Sequence, residues 1–180
     1  TRALAAATDD EGDFEDEVDG DTADELIIRR ARLDDAELLA RLEQQASERS
    51  LRHVFGGRPF PVDDIRARWV EVLGNWRNKV RIAHIGEQPV GYVAYGEGHI
   101  HRLGVVEQHT RRGFGRQLLS YATDDVFRSS PTVELDVLAD NHSAREFYRA
   151  QGWRDTGERT PSEFPPNPMM MRLALGRPGH

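Results

Sequence analysis

An α/β (α+β) fold, with a mixed, mostly antiparallel central sheet and flanking helices, is predicted for this 180-residue chain. Three observations predict it. Short apolar runs alternate with segments whose apolar residues recur every three or four positions, the periods of strands and of helices. The order of these segments reads β-α-α-β-β-β-α-β-α-β-β. Within that order one strand–loop–helix–strand unit demands a parallel pair, while the remaining connections suit antiparallel neighbours.

The first strand is the apolar run LIIRRA at 26–31. Asp34 and Asp35 then offer oxygens to cap a helix in which Leu38, Leu39, Leu42 and Ala46 form one stripe. RHVFGGRPFP at 52–61, with two glycines and two prolines, breaks that helix. A second helix starts near Val62, where Asp63 and Asp64 suit the positive end of its dipole. Its expected apolar face is Ile65, Trp69, Val72, Leu73 and Trp76. KVRIAHI and PVGYVAYG are strands joined across Gly86-Glu87-Gln88, a hairpin signal. HIHRLGVV at 99–106 is the next strand. A helix follows to about Phe127, with Leu118, Leu119, Ala122 and Val126 inward. TVELDVLA at 132–139 is a strand, apolar on Leu135 and Val137. NHSAREFYRAQGW at 141–153 is a short helix closed by Gly152. Met169 to Leu175 supplies the last strand.

Composition narrows the function classes. The chain has no cysteine, which excludes disulfides, thiolate zinc sites and a cysteine nucleophile. No apolar run nears the roughly 20 residues that span a bilayer. ALAAA near the start is too short for a secretory signal and lacks its basic flank, so a cytoplasmic location is expected. The net charge of −7 hides two regions. Residues 1–25 hold eleven acids and one base, the composition of a solvated, flexible arm. The domain at 26–180 is left with 23 bases and 20 acids. Its arginines are scattered and the arm would repel phosphates, so no nucleic-acid partner is expected.

EQHTRRGFGRQLL at 107–119 sets Gly113 and Gly115 among arginines, after a strand and at the start of a helix. A phosphate suits such a place. N–H groups at a helix start point at an anion, the helix dipole favours it, and glycine lets the main chain approach closely. Further on, LDVLADNHSAREFYRAQGW holds Asn141, Ala144, Tyr148, Gly152 and Trp153 in an N-x-x-A-x-x-x-Y-x-x-x-G-[FW] pattern. The two motifs together resemble the GCN5-related N-acetyltransferase (GNAT) superfamily over residues 26–175. One position departs from it. Thr110 stands three residues before Gly113, where the family usually has Gln or Arg. The loop is expected to survive, because its phosphate contacts come mostly from backbone N–H groups.

The resemblance implies a parallel strand pair that splays to admit coenzyme A. It implies acetyl transfer from acetyl-CoA, as co-substrate, to a primary amine by direct attack. On that basis Arg111, Arg112, Gly113, Phe114, Gly115 and Arg116 line the pyrophosphate loop. Leu103, Gly104 and Val105 would pair with pantetheine through their backbones, as an added strand would. Ala144 and Asn141 would lie near the cofactor, though Asn141 suits helix capping equally well. Val105 N–H is the implied donor to the thioester carbonyl, and Tyr148 the implied general acid at sulfur.

The base stays open. Asp136 stands where relatives acting on protein α-amines often carry Glu. His101 has the better-matched unperturbed pKa; Glu97 and bulk water are the other candidates. His99 and His101 share one face by alternation, and no metal is expected. The acceptor, a small-molecule or peptide amine, is expected between the first two helices, RHVFGGRPF and TPSEFPPNP. There Phe55, Phe60, Glu163 and Phe164 suggest an apolar pocket with one carboxylate, favouring a cationic amine. Two further readings are a non-catalytic acyl-CoA sensor whose arm plugs the acceptor site, and one half of a tandem acetyltransferase, for which an opening Thr1 leaves room. Homodimerisation is left open, and no membrane partner is expected.

Overall fold

The structure, a computed structural model, describes residues 25–48, 52 and 57–179. The acidic arm, Glu25 apart, and Phe55 therefore lie outside the described residues. Seven strands form one sheet: β1 (Leu26–Arg30), β2 (Lys79–Ile85), β3 (Gln88–Gly96), β4 (His99–Val105), β5 (Thr132–Leu138), β6 (Arg154–Pro161) and β7 (Met169–Gly176). Their order across the sheet is β1-β2-β3-β4-β5-β7-β6. Among the described residues only β4 and β5 run parallel, joined by the one strand–helix–strand unit that the sequence singles out. The helices are α1 (Ala36–Ser47), α2 (Val62–Gly74), α3 (Phe114–Phe127) and α4 (His142–Ala150). None of the described helices is long and apolar enough to cross a membrane.

Adjacent residues of β3 point to opposite faces, and they show which helices cover each. Tyr92 packs edge-on against Trp69 of α2, ring centroids 5.4 Å apart, and Trp69 Nε1 donates to Glu43 of α1 at 2.8 Å. A Cβ built on the neighbouring Gly91 would instead lie 3.0 Å from Leu118 of α3. So α1 and α2 cover one face and α3 the other. Leu39, Leu42, Ile65 and Trp69 are buried in the first layer, and Leu118, Leu119, Ala122 and Val126 in the second. Burial of each such aliphatic side chain contributes roughly 1.5–3 kcal/mol, which is why the helical stripes dictate the layering.

Two local expectations are corrected. Asp35 does not cap α1 through its side chain. Its carboxylate accepts two hydrogen bonds from Arg29, both 2.8 Å, and one from Arg32 N–H at 2.7 Å, tying β1 to the 3-10 turn Leu33–Asp35. The guanidinium of Arg29 holds that carboxyl below its ordinary pKa. Trp76 is not on the apolar face of α2. The helix ends at Gly74, Asn75 turns extended, and Trp76 lies beyond it, 86% exposed. Gly152 does close α4, with φ of 90° and its N–H donating to Arg149 O.

Candidate active site

The parallel pair is brief. β4 and β5 are in register only at His99↔Glu134 and Ile100↔Leu135. Beyond that point β5 continues beside β7, while Leu103, Gly104 and Val105 stay paired with Val93, Tyr92 and Gly91 of β3. A fork therefore opens between the strands. A bulge explains it. Arg102 pairs with Ala94 and Ile100 with Tyr95, so His101 is the extra residue on β4. A bulge bends its strand and strengthens the local twist, and this one sits where β4 leaves β5.

The ladder also decides which backbone groups face the fork. Val106 N–H donates to Val90 O at 2.9 Å. Antiparallel pairs alternate between bonded and non-bonded, so Gly104 opposite Tyr92 also turns its N–H and C=O to β3. Leu103 and Val105 turn theirs into the fork. Gly104 is thereby corrected: its own amide belongs to the sheet. Its lack of a side chain serves Tyr92, since a Cβ there would lie 2.5 Å from the Tyr92 hydroxyl.

Below the fork the chain passes through a 3-10 turn, Glu107–His109, and reaches α3. Thr110 has a clear part here, its Oγ1 donating to Glu107 O at 2.8 Å to close that turn. Arg111 at φ 62° and Gly113 at φ 82° take left-handed conformations. Nothing would crowd a Cβ on Gly113, so the backbone angle, not space, requires glycine. No side chain caps α3, which leaves its first N–H groups pointing out of the helix start. Arg111 and Arg116 are exposed around it, and the Arg112 guanidinium lies 5.0 Å from the ring of the buried Phe114. A Cβ on Gly115 would lie 3.6 Å from Phe147 of α4 and 3.7 Å from Val105. That close approach draws α3, α4 and β4 together at the fork.

Asn141 caps α4, its Oδ1 accepting from Ala144 N–H at 3.2 Å. The cap fixes the helix that carries Tyr148, a buried residue flanked edge-on by Phe147 and Trp153. Burial pushes the Tyr148 hydroxyl well above its ordinary pKa, so it stays protonated. Tyr92 is buried on the α1–α2 face, and burial, Glu43 and Tyr148 hold its hydroxyl protonated too.

The α1–α2 face of the fork is built from side-chain pairs. Glu43 accepts Trp69 Nε1–H on one oxygen and Arg102 on the other. Arg68 of α2 donates to Glu163 and lies 4.4 Å from the centre of the Phe164 ring. Glu163 is thus paired with a cation and is not the free carboxylate expected of it. Phe60 is half-buried against the core. Among the described residues no three His, Asp or Glu side chains are arranged to hold a metal ion.

Residues 48–153, more than half of the chain, match the acetyltransferase (GNAT) family. The chain belongs to this family. No curated protein matches the GNAT chain in sequence. Among solved structures, an acetyltransferase from Thermus thermophilus superposes with a TM-score of 0.66 at 21% identity, over 84% of this chain and 97% of that one. The ribosomal-protein-S18-alanine N-acetyltransferase of Escherichia coli gives 0.64 at 17% identity, over 84% and 94%. The PaiA N-acetyltransferase of Thermoplasma acidophilum, in complex with coenzyme A, gives 0.61 at 16% identity, over 82% and 98%. At these identities the likeness is one of fold.

The GNAT fork brings most of the expected residues together and separates others. His101 and Asp136 are the first residues past the last paired rung of β4 and β5, one on each side. Asp136 is engaged by Arg172, which donates to its two oxygens at 3.1 and 3.3 Å. His101 stacks on His99 with ring centroids 5.8 Å apart, as alternation suggests despite the bulge. Partial loss of surrounding water, then the charges of His99 and Arg102, hold the exposed His101 imidazole below its ordinary 6.5. Glu97 lies in the β3–β4 turn at φ 50°, its carboxylate 3.4 Å from Arg77, before the paired rungs. Sequence reasoning missed Tyr92, Glu43, Arg68 and Arg102. Only Tyr92 leaves a trace, as an aromatic paired across strands with a glycine.

Proposed function

We propose that the protein transfers an acetyl group from acetyl-CoA to a primary amine by direct attack. One observation carries this reading: a fork whose Leu103 and Val105 backbone edges are unpaired among the described residues runs directly into an uncapped helix start ringed by arginines. Pantetheine fits the free edge as an added strand, and the pyrophosphate fits the N–H groups from Gly113 to Arg116. Gly115 leaves room for that approach.

The amine nitrogen attacks the thioester carbonyl, whose oxygen gathers negative charge against Val105 N–H. As the tetrahedral intermediate collapses the carbon–sulfur bond breaks, and Tyr148 gives its proton to the departing sulfur. Its raised pKa means the hydroxyl carries its proton in the free protein. The attacking nitrogen loses a proton to His101, neutral above its lowered pKa. Asp136 is bound to Arg172 and serves to position that guanidinium and the strand end. Thiol release from acetyl-CoA in the presence of a panel of amines tests the reading. Amine-dependent release is expected. Tight acetyl-CoA binding with no release for any amine would leave a coenzyme A-binding protein.

A further inference from the structure

We infer that the acceptor amine also carries a carboxylate, which docks on Arg68 in the place that Glu163 holds in the free protein; this rests on the acetyl-transfer reading. Arg68 lies on the acceptor side of the sheet, close enough to Arg102 of β4 for their charges to repel. Both oxygens of Glu43 are committed, one to Arg102 and one to Trp69. Among the described residues the half-buried Arg68 guanidinium forms its ion pair with Glu163, whose side chain is 80% exposed.

That partner is presented by a built loop. Ser162 N–H donates to Pro168 O at 2.8 Å, Asn167 Nδ2 to Ser162 O at 2.7 Å, and Asn167 N–H to Phe164 O at 2.7 Å. These bonds close the loop and seat the Phe164 ring beneath the guanidinium. Stacking on an aromatic face orients the planar fork of an arginine, and such a fork matches the two oxygens of a carboxylate. Burial and the charge of Arg102 also make the Arg68 cation one that gains from a better-enclosed anion in place of Glu163. An exposed loop carboxylate is a weak competitor, because exposed ion pairs contribute little. A substrate carboxylate held there leaves the rest of an amino acid to extend past Arg102 towards His101 and the fork.

The test compares thiol release for α-amino acids, for ω-amino acids of increasing chain length, and for the amide of each. The acids should exceed their amides in kcat/KM by about 10- to 100-fold, the worth of a hydrogen bond to a charged group. Chain length then tells how far Arg68 stands from the reacting carbonyl. Arg68→Gln should bring the acid-to-amide ratio close to one, and Arg68→Lys should retain part of it. Glu163→Gln, on an exposed loop, should raise the ratio about 2- to 5-fold by removing the internal competitor. Amides turned over as fast as acids would overturn the anchor while leaving acetyl transfer intact. If no amine is turned over, acetyl transfer fails, and calorimetric titration of the same acids and amides into the coenzyme A complex still reads the anchor. Tighter binding of acids, lost in Arg68→Gln, supports it; equal binding overturns it.

Discussion

The two sides of the fork are made of different materials. The side proposed to hold the cofactor is main chain: the edges of Leu103 and Val105, unpaired among the described residues, a left-handed Gly113, and an uncapped helix. The α1–α2 side, where the proposed acceptor enters, is side chain: Glu43 with Arg102 and Trp69, and Arg68 with Glu163 and Phe164. Backbone donors stay in place when a residue is replaced, provided the conformation survives. Side-chain pairs vanish with one substitution. A site divided in this way can keep its donor substrate while its acceptor specificity changes.

Substitutions should therefore fall into two classes, and the largest effect belongs to the cofactor side. Gly115→Asp places a carboxylate against the pyrophosphate in a position that packs on Phe147 and Val105. It should abolish the stabilisation of roughly 2.7 kcal/mol expected at 100 times the dissociation constant of acetyl-CoA, read as a thermal shift. Retained binding would remove the loop from the site. Tyr148→Phe keeps a buried ring and removes one proton donor. We expect kcat to fall by roughly 10- to 100-fold, the low end for general acids because a thiolate leaves well, with acetyl-CoA affinity nearly constant. Loss of affinity at full kcat would make Tyr148 a binding residue.

Glu43→Gln acts on the other wall. It leaves the Arg102 cation without its carboxylate and should lower stability by about 1–3 kcal/mol in denaturant titrations, with the acetyl-CoA dissociation constant within about twofold of the parent. A large change in cofactor affinity would dissolve the division between the walls. His101 gives the smallest effect and a pH signature. Its folded pKa lies below the ordinary 6.5, so an unfolded chain takes up this proton first as pH falls. The neutral ring's contribution to stability is full above 6.5 and is lost as pH falls through the folded value. The acidic limb of kcat/KM should follow the same lowered pKa. His101→Gln should flatten that limb and cost about tenfold or less at neutral pH, whereas Asp136→Asn should leave the limb in place. An unaltered limb in His101→Gln points to water as the base.

What the sequence made legible divides along the same line. Gly113, Gly115 and the helix they open are adjacent in the chain, so the loop and helix start proposed to hold the anion could be read from one stretch. The strand and helix periods likewise marked the sheet and its parallel pair, whereas Asn141 fitted a helix cap and a cofactor contact equally well until the structure showed the cap. The acceptor wall joins residues 59 apart, Glu43 and Arg102, and 95 apart, Arg68 and Glu163. No local pattern announces such pairs, and Glu163 read alone looked like a free acid. The bulge at His101 carries no glycine or proline to mark it. Without the bulge, neither the fork's position nor the outward turn of Leu103 and Val105 follows from alternation. Trp76 failed for a simpler reason: helical periodicity was extended past the glycine that ends α2.

Amide hydrogen exchange on β4 tests the central claim most directly. In the free protein Gly104 N–H, paired with β3, should exchange slowly, and Leu103 and Val105 N–H, facing the fork, should exchange fast. Saturating acetyl-CoA should protect Val105 and Leu103 by more than about tenfold and leave Gly104 little changed, since pantetheine then completes the strand edge. Protection that appears at Gly104, or that is absent from Val105, would contradict a cofactor held by the free edge of this fork.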